Sequence, residues 1–170
     1  MATEIKVHCS HTELVDIVKL VEHPNNPNKH NERQIKLLAR VIQAQGWRNP
    51  ITVSRKSGYI VSGHGRLAAA KLLGETKVPV DYQSFEKYAD ETAHLIADNR
   101  IAELSEFDLS DLSGLIKELE GKIDLDLAGV DDLFREQLAA LNEIPDDNKD
   151  IDESEMGNTE HECPQCGFKW

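Results

Sequence analysis

The chain has 170 residues, 39% hydrophobic and 29% charged, which is enough for one substantial core and a small appendage but not for two full domains. Its formal charge of −12 argues against a nucleic-acid-binding surface spread over the whole molecule, and no apolar run approaches the roughly 18–20 residues that span a bilayer. The opening Met-Ala-Thr-Glu-Ile-Lys lacks the basic-then-apolar pattern of a signal peptide, so a cytoplasmic protein without membrane association is expected.

Glu4–Cys9 and Leu14–Val21, rich in Val, Ile and Leu, are predicted as strands. Pro24, Pro27 and three asparagines force a loop over 23–30. Asn31 then reads as a helix cap with Gln34 as its capping-box partner, and Ile35, Leu38 and Ile42 as the buried stripe. Gly46 ends that helix, and Trp47 is expected to pack back on its end. Pro50–Ser54 and Tyr59–Ser62 form a predicted hairpin around Arg55-Lys56-Ser57-Gly58. The second strand runs into Gly63-His64-Gly65-Arg66, then into a helix over Leu67–Leu73 stopped by Gly74. A strand over Val78–Tyr82 and a helix over Glu86–Leu104 follow.

Past residue 108 the character changes. Helical patterns near Ser110–Leu119 and Asp131–Leu141 lie in a stretch, 105–142, with ten acids against three bases. Such a surface repels a DNA backbone, so packing or oligomerisation is the expected role. Residues 143–160 are polar and acidic, the composition of a disordered linker, and 161–170 carry a Cys-x-x-Cys knuckle. The expected organisation is therefore a domain over 1–108, an acidic helical extension over 109–142, a linker over 143–160 and the knuckle.

Charge is unevenly distributed. Residues 143–170 hold nine acids and two bases, whereas Lys29 to Lys77 hold ten bases against Glu32 and Glu75. A basic middle in an acidic protein attracts phosphate there, nucleotide or DNA, unless it is simply a solvated face.

Within that middle, a strand ending in small residues and opening into a helix presents free backbone amides, and the helix dipole adds positive potential. Gly63 and Gly65 permit close approach of an anion. Arg66 adds a fork of donors suited to phosphate, and His64 stands where it could bond a phosphate, ligate or transfer a proton. Alone, Gly-x-Gly-Arg equally describes a tight turn between strand and helix.

The order of elements, the Asn-Pro loop, Gly46-Trp47-Arg48-Asn49-Pro50-Ile51-Thr52-Val53, the Gly63–Arg66 box and Ala97-Asp98-Asn99-Arg100 together resemble the ParB N-terminal family over residues 12–108. The likeness is to its stand-alone branch in phages and mobile elements. This resemblance implies an α+β, ParB/sulfiredoxin-like fold, a small mixed sheet with packed helices, and a nucleotide site for CTP or ATP with Mg²⁺. By the same resemblance, Lys29, Gly63, His64, Gly65, Arg66, Asn99 and Arg100 would bind the nucleotide, with Asn99 and Arg100 aimed at the triphosphate or its Mg²⁺. His64 and Asp98 are the candidate acid/base groups. Partition proteins of the family carry Gly-Glu-Arg-Arg where this chain has Gly63-His64-Gly65-Arg66, which puts a preference for CTP in doubt. Sulfiredoxin's catalytic cysteine would fall at His64, which speaks against sulfinic-acid repair.

Cys163 and Cys166 have the spacing of half a zinc ribbon; His161 and Cys9 are candidates to complete a Zn²⁺ site, within the chain or across a homodimer, and a reduced pair without metal is the alternative. Three functions follow from these residues. The first is a nucleotide-dependent switch in DNA transactions. The second is a phosphoryl-transfer enzyme (NTPase, small-molecule kinase or, less favoured, nuclease), and the third an adaptor with a vestigial site.

Overall fold

The structure, a computed structural model, describes residues 5–130, 132–142 and 164–167. Contacts divide the chain into two units, Met1–Asp131 and Asp132–Trp170.

The hairpin is the centre of the first unit. Strands β3 (Ile51–Ser54) and β4 (Tyr59–Ser62) pair antiparallel, and Gly58 takes the positive φ of 78° that the turn requires. Every residue of β3 is buried, as expected of a strand covered on both faces. Two short N-terminal strands, β1 (Glu13–Asp16) and β2 (Val21–Glu22), and a longer β5 (Lys77–Gln83) complete a mixed sheet of order β1-β5-β3-β4-β2. β1 runs antiparallel to β5, β3 parallel to β5, and β2 parallel to β4.

One stretch of chain therefore supplies both edges of the sheet. From Asp16 to Val21 the backbone can reach at most about 17–18 Å, whereas four flat inter-strand steps require about 19 Å. Part of that reach is also shortened by a 3₁₀ turn at Ile17–Lys19. The sheet must curl so that its edges approach one another.

Helix α1 (Glu32–Gln45) packs on α2 (His64–Leu73) and, at its far end, against a 3₁₀ turn at Leu125–Ala128, where Arg40 binds Asp124 and Asp126. Helix α3 (Tyr88–Glu103) lies on β4. Between α1, α2 and the sheet sits a core of Ala39, Ile42, Trp47, Ile51, Ile60, Leu67, Ala69, Ala70, Val78 and Val80. Trp47, 1% exposed, packs beyond the end of α1 as the sequence suggests. Helix α4 (Leu109–Leu119), capped by Asp108, buries no residue. In the second unit, α5 spans Asp132–Asn142.

The α+β class is observed, with local differences. Of the predicted strand Glu4–Cys9, only Val7 pairs among the described residues, through an isolated bridge to Trp47. Leu14–Val21 is not one strand: the 3₁₀ turn at Ile17–Lys19 interrupts it, because the chain must cross from one sheet edge to the other. Asn31 caps α1, its Oδ1 accepting the Gln34 N–H at 2.8 Å. The Gln34 side chain does not close a capping box, since its Oε1 accepts from His30 Nδ1 at 3.1 Å. Helix α2 starts at His64, three residues before the predicted Leu67.

Candidate functional site

Ser62 ends β4, Gly63 turns the chain with φ 97° and ψ 23°, and α2 begins at His64. The first helical bond runs from Leu67 N–H to Gly63 C=O, so the amides of His64, Gly65 and Arg66 are the N-terminal donors that the helix itself leaves free. Gly63 takes a left-handed conformation that favours glycine, and a side chain at Gly63 or Gly65 would crowd its neighbours. A Cβ on Gly63 would lie 3.0 Å from Arg66 Nη2, and one on Gly65 would lie 3.2 Å from Cε1 of His30. Glycine thus lets the Arg66 guanidinium lie back over the turn and lets the His30 ring close over the first turn of α2.

These groups line a cleft of about 120 Å³ together with Asn26, Asn28, Asp98 and Asn99. That is well below the roughly 300–1,000 Å³ of sites enclosing a drug-sized ligand, so it has room for phosphoryl groups while a nucleoside would rest outside. Arg66 Nη2 donates to Ser62 Oγ at 3.4 Å, and the Ser62 hydroxyl donates to Asp98 Oδ2 at 2.8 Å. Arg66 Nε is buried and has no hydrogen-bond partner among the described residues. Burial pulls the Arg66 pKa below the usual arginine value, with Asp98 and then Cys9 opposing that shift. A half-buried guanidinium with an uncommitted Nε–H gains from an anion that restores its lost hydration.

His64 is itself buried, and its Nε2 accepts the backbone N–H of His23 at 3.3 Å. Burial is the main cause holding its pKa below the ordinary 6.5, while Glu22 opposes it. With Nε2 accepting, the neutral ring carries its proton on Nδ1, so His64 is fitted to donate a hydrogen bond more than to remove a proton.

A group that sequence reasoning missed fixes the partner of His64. Glu91 of α3, 1% exposed, accepts Ser54 Oγ at 2.6 Å and Ser57 Oγ at 2.6 Å. Its Oε1 faces His23 Nε2 at 3.8 Å, and His23 Nδ1 accepts the Asn25 N–H at 3.2 Å. Hairpin turn, α3 and the 23–30 loop are thereby tied together, and that loop delivers Asn26, Asn28 and His30 to the cleft. Two prolines and a histidine at the start of the loop were the only available signal.

Two expected ligands stand elsewhere. Lys29 is exposed and does not line the cleft; Asn26, Asn28 and His30 take that part of the wall. Arg100 is exposed and paired with Glu103 at 2.8 Å, one helical step beyond the cleft-lining Asp98 and Asn99. Asn99 donates its Nδ2 to Leu95 O at 2.9 Å, which leaves its Oδ1 for a ligand. The basic middle is also less available than its sequence implies. Lys36 pairs with Glu32, Lys71 with Glu22, and Arg40 with Asp124 and Asp126, while Arg55 and Lys56 lie over the rings of Tyr82 and Tyr88. Hollows of about 500 Å³, beside Lys6, His8 and Arg48, and about 460 Å³, beside Arg33 and Arg40, are larger but lack the converging amides of the α2 start.

Of the candidate zinc ligands, Cys163 and His161 lie outside the described residues. Cys9 and Cys166 are free thiols, and burial raises the Cys9 pKa. Among the described residues no group of three or more His, Cys, Asp or Glu is arranged to hold a metal, and no helix is long and apolar enough to cross a membrane.

The family of the ParB N-terminal domain matches residues 1–117. The ParB-like nuclease domain-containing protein YnaK of Escherichia coli (strain K12) is 37% identical over 62 residues, covering 36% of this chain and 70% of YnaK. Among solved structures, the C-terminally truncated chromosome-partitioning protein ParB from Caulobacter crescentus, complexed with CTP-γ-S, superposes with a TM-score of 0.51 at 22% identity. The match covers 65% of this chain and 63% of that one, and it shows the fold. Sulfiredoxin from Arabidopsis thaliana gives a TM-score of 0.42 at 21% identity, over 49% of this chain and 94% of its own.

Proposed function

Because the chain belongs to the ParB N-terminal domain family, we propose that it is a nucleoside-triphosphate-binding switch whose ligand, CTP or ATP with Mg²⁺, seats its phosphates at the start of α2. The observation that carries this reading is the convergence of the three N-terminal amides of α2 and a half-buried Arg66 guanidinium, its Nε buried and unbonded among the described residues, on one phosphate-sized cleft. The Caulobacter relative, bound to CTP-γ-S, supports a triphosphate over a smaller anion. The Asn99 amide oxygen is a hard oxygen donor in the same cleft and suits the cation that accompanies a triphosphate, while Asp98 accepts the Ser62 hydroxyl.

The bound state would bias association with a second copy, or with a partner, in the DNA transactions of a phage or mobile element. The name of the YnaK relative includes a nuclease domain. Among the described residues Asp98 is the one carboxylate lining the cleft, whereas two-metal hydrolases use several, so binding is favoured over hydrolysis of DNA.

The test is thermal unfolding with CTP, ATP, GTP and UTP in Mg²⁺. A ligand at about a hundred times its Kd should raise the midpoint by roughly 5–10 °C. Replacing Arg66 with Ala should cut the rise by about half or more. A midpoint insensitive to all four nucleotides would sink the proposal.

A further inference from the structure

Resting on that reading, we propose that Ser62 is a phosphoryl acceptor activated by Asp98, so that the protein phosphorylates itself at the end of β4. The Ser62 hydroxyl already directs its proton to Asp98 Oδ2 at 2.8 Å, and Arg66 Nη2 approaches the same serine oxygen at 3.4 Å. All three residues line the cleft that also holds the first residues of α2. A nucleophile, a base and a cation for the transferred group are thus assembled where the free amides would hold the remaining phosphates.

The other hydroxyl–carboxylate bonds of the hairpin make a useful contrast. Ser54 and Ser57 donate to Glu91 at 2.6 Å each, yet neither lines the cleft and Glu91 is buried beneath the turn, so those bonds hold structure. Asp98 is exposed, and a proton it receives can leave to water. Asp98 therefore has the access that Glu91 lacks.

The step balances with a nucleoside triphosphate as the only co-reactant. Ser62 Oγ forms a bond to the γ-phosphorus, and the bond between that phosphorus and the β–γ bridging oxygen breaks. The bridging oxygen keeps the electron pair, a nucleoside diphosphate departs, and Asp98 takes the hydroxyl proton. His64, occupied at Nε2 by the His23 N–H, is not needed as the base.

The experiment incubates the full chain with Mg²⁺ and each of the four triphosphates labelled at the γ-phosphate, followed by intact mass and peptide mapping, alongside thermal shift on the same samples. The expected result is one phosphoryl group per chain, mapped to Ser62. Ser62→Thr should retain the label at position 62, Ser62→Ala should lose it, and Asp98→Asn should slow labelling by about a hundredfold. A nucleotide that raises the midpoint without labelling the protein, or that releases free phosphate only, overturns the acceptor role and leaves the binding reading intact. Label mapped to another residue also overturns it. Neither shift nor label removes both proposals together.

Discussion

The carboxylate of Glu91 receives the hydroxyl of Ser57 at 2.6 Å from beneath the hairpin turn, joining residues 34 positions apart across the buried face of α3. Ser54 binds the other oxygen and His23 stands beside the first, so one side chain anchors the hairpin, the helix and the loop that walls the cleft. Glu91→Ala should therefore cost about 2–4 kcal/mol, because it leaves two hydroxyls without their acceptor and removes the carboxylate that faces His23. Chemical denaturation measures this directly, and Glu91→Gln, which keeps one acceptor oxygen, should lose less.

Gly63→Ala should be costly in two ways. The backbone sits at φ 97°, where a Cβ is strained by about 1–2 kcal/mol, and that Cβ would press on the Arg66 guanidinium at 3.0 Å. Unfolding should show the loss of stability. Titration with triphosphate should show weaker binding beyond it, since the displaced guanidinium no longer faces the cleft.

Arg66 and Arg100 should separate cleanly in the same titration. Arg66→Ala removes a half-buried charge-assisted donor worth about 1.5–3 kcal/mol, a loss of at least tenfold in affinity. Arg100→Ala breaks only an exposed pair with Glu103 and should change affinity by less than about twofold. Equal losses would show that α3 bends Arg100 into the site on binding.

Acid should weaken the fold through His64. Its folded pKa lies below the ordinary 6.5 because burial disfavours the charged ring. Above that value both states are neutral and the full stability is present; as pH falls from 6.5 toward the folded pKa, the unfolded chain takes up the proton first and stability declines. Glu22, whose pKa the Lys71 hydrogen bond lowers from 4.5, adds a second decline from that value downward. Denaturant midpoints between pH 7.5 and 5 should fall for the wild type and stay flatter for His64→Asn.

The parts of the fold written in short-range chemistry were legible in the sequence. Gly58 announced the hairpin, Asn31 the start of α1, Gly46 its end, and the Gly63–Arg66 box the candidate cradle, because each depends on neighbours a few residues away. The early start of α2 escaped notice because Gly-His-Gly reads as loop, yet a left-handed Gly63 caps the helix at once. The Glu91 cluster was illegible for another reason. Glu91 stands among the acids of α3's first turns and reads as solvated, and only the tertiary fold brings it to His23, 68 positions earlier. Lys29 and Arg100, both exposed, stand outside the lining of the cleft, and charge in the sequence does not say which way a helix turn or loop faces.

The curled sheet has a mechanical consequence. Its two rims are cut from a single ribbon, residues 13–22, so neither can be peeled away while the other stays in place. Trimming the chain past Asp16 would strip β1 from β5, expose that strand's edge amides, and leave β2 without the segment that leads into it. Such truncations should therefore fail together and abruptly, as sticky, sheet-pairing species, instead of losing stability residue by residue.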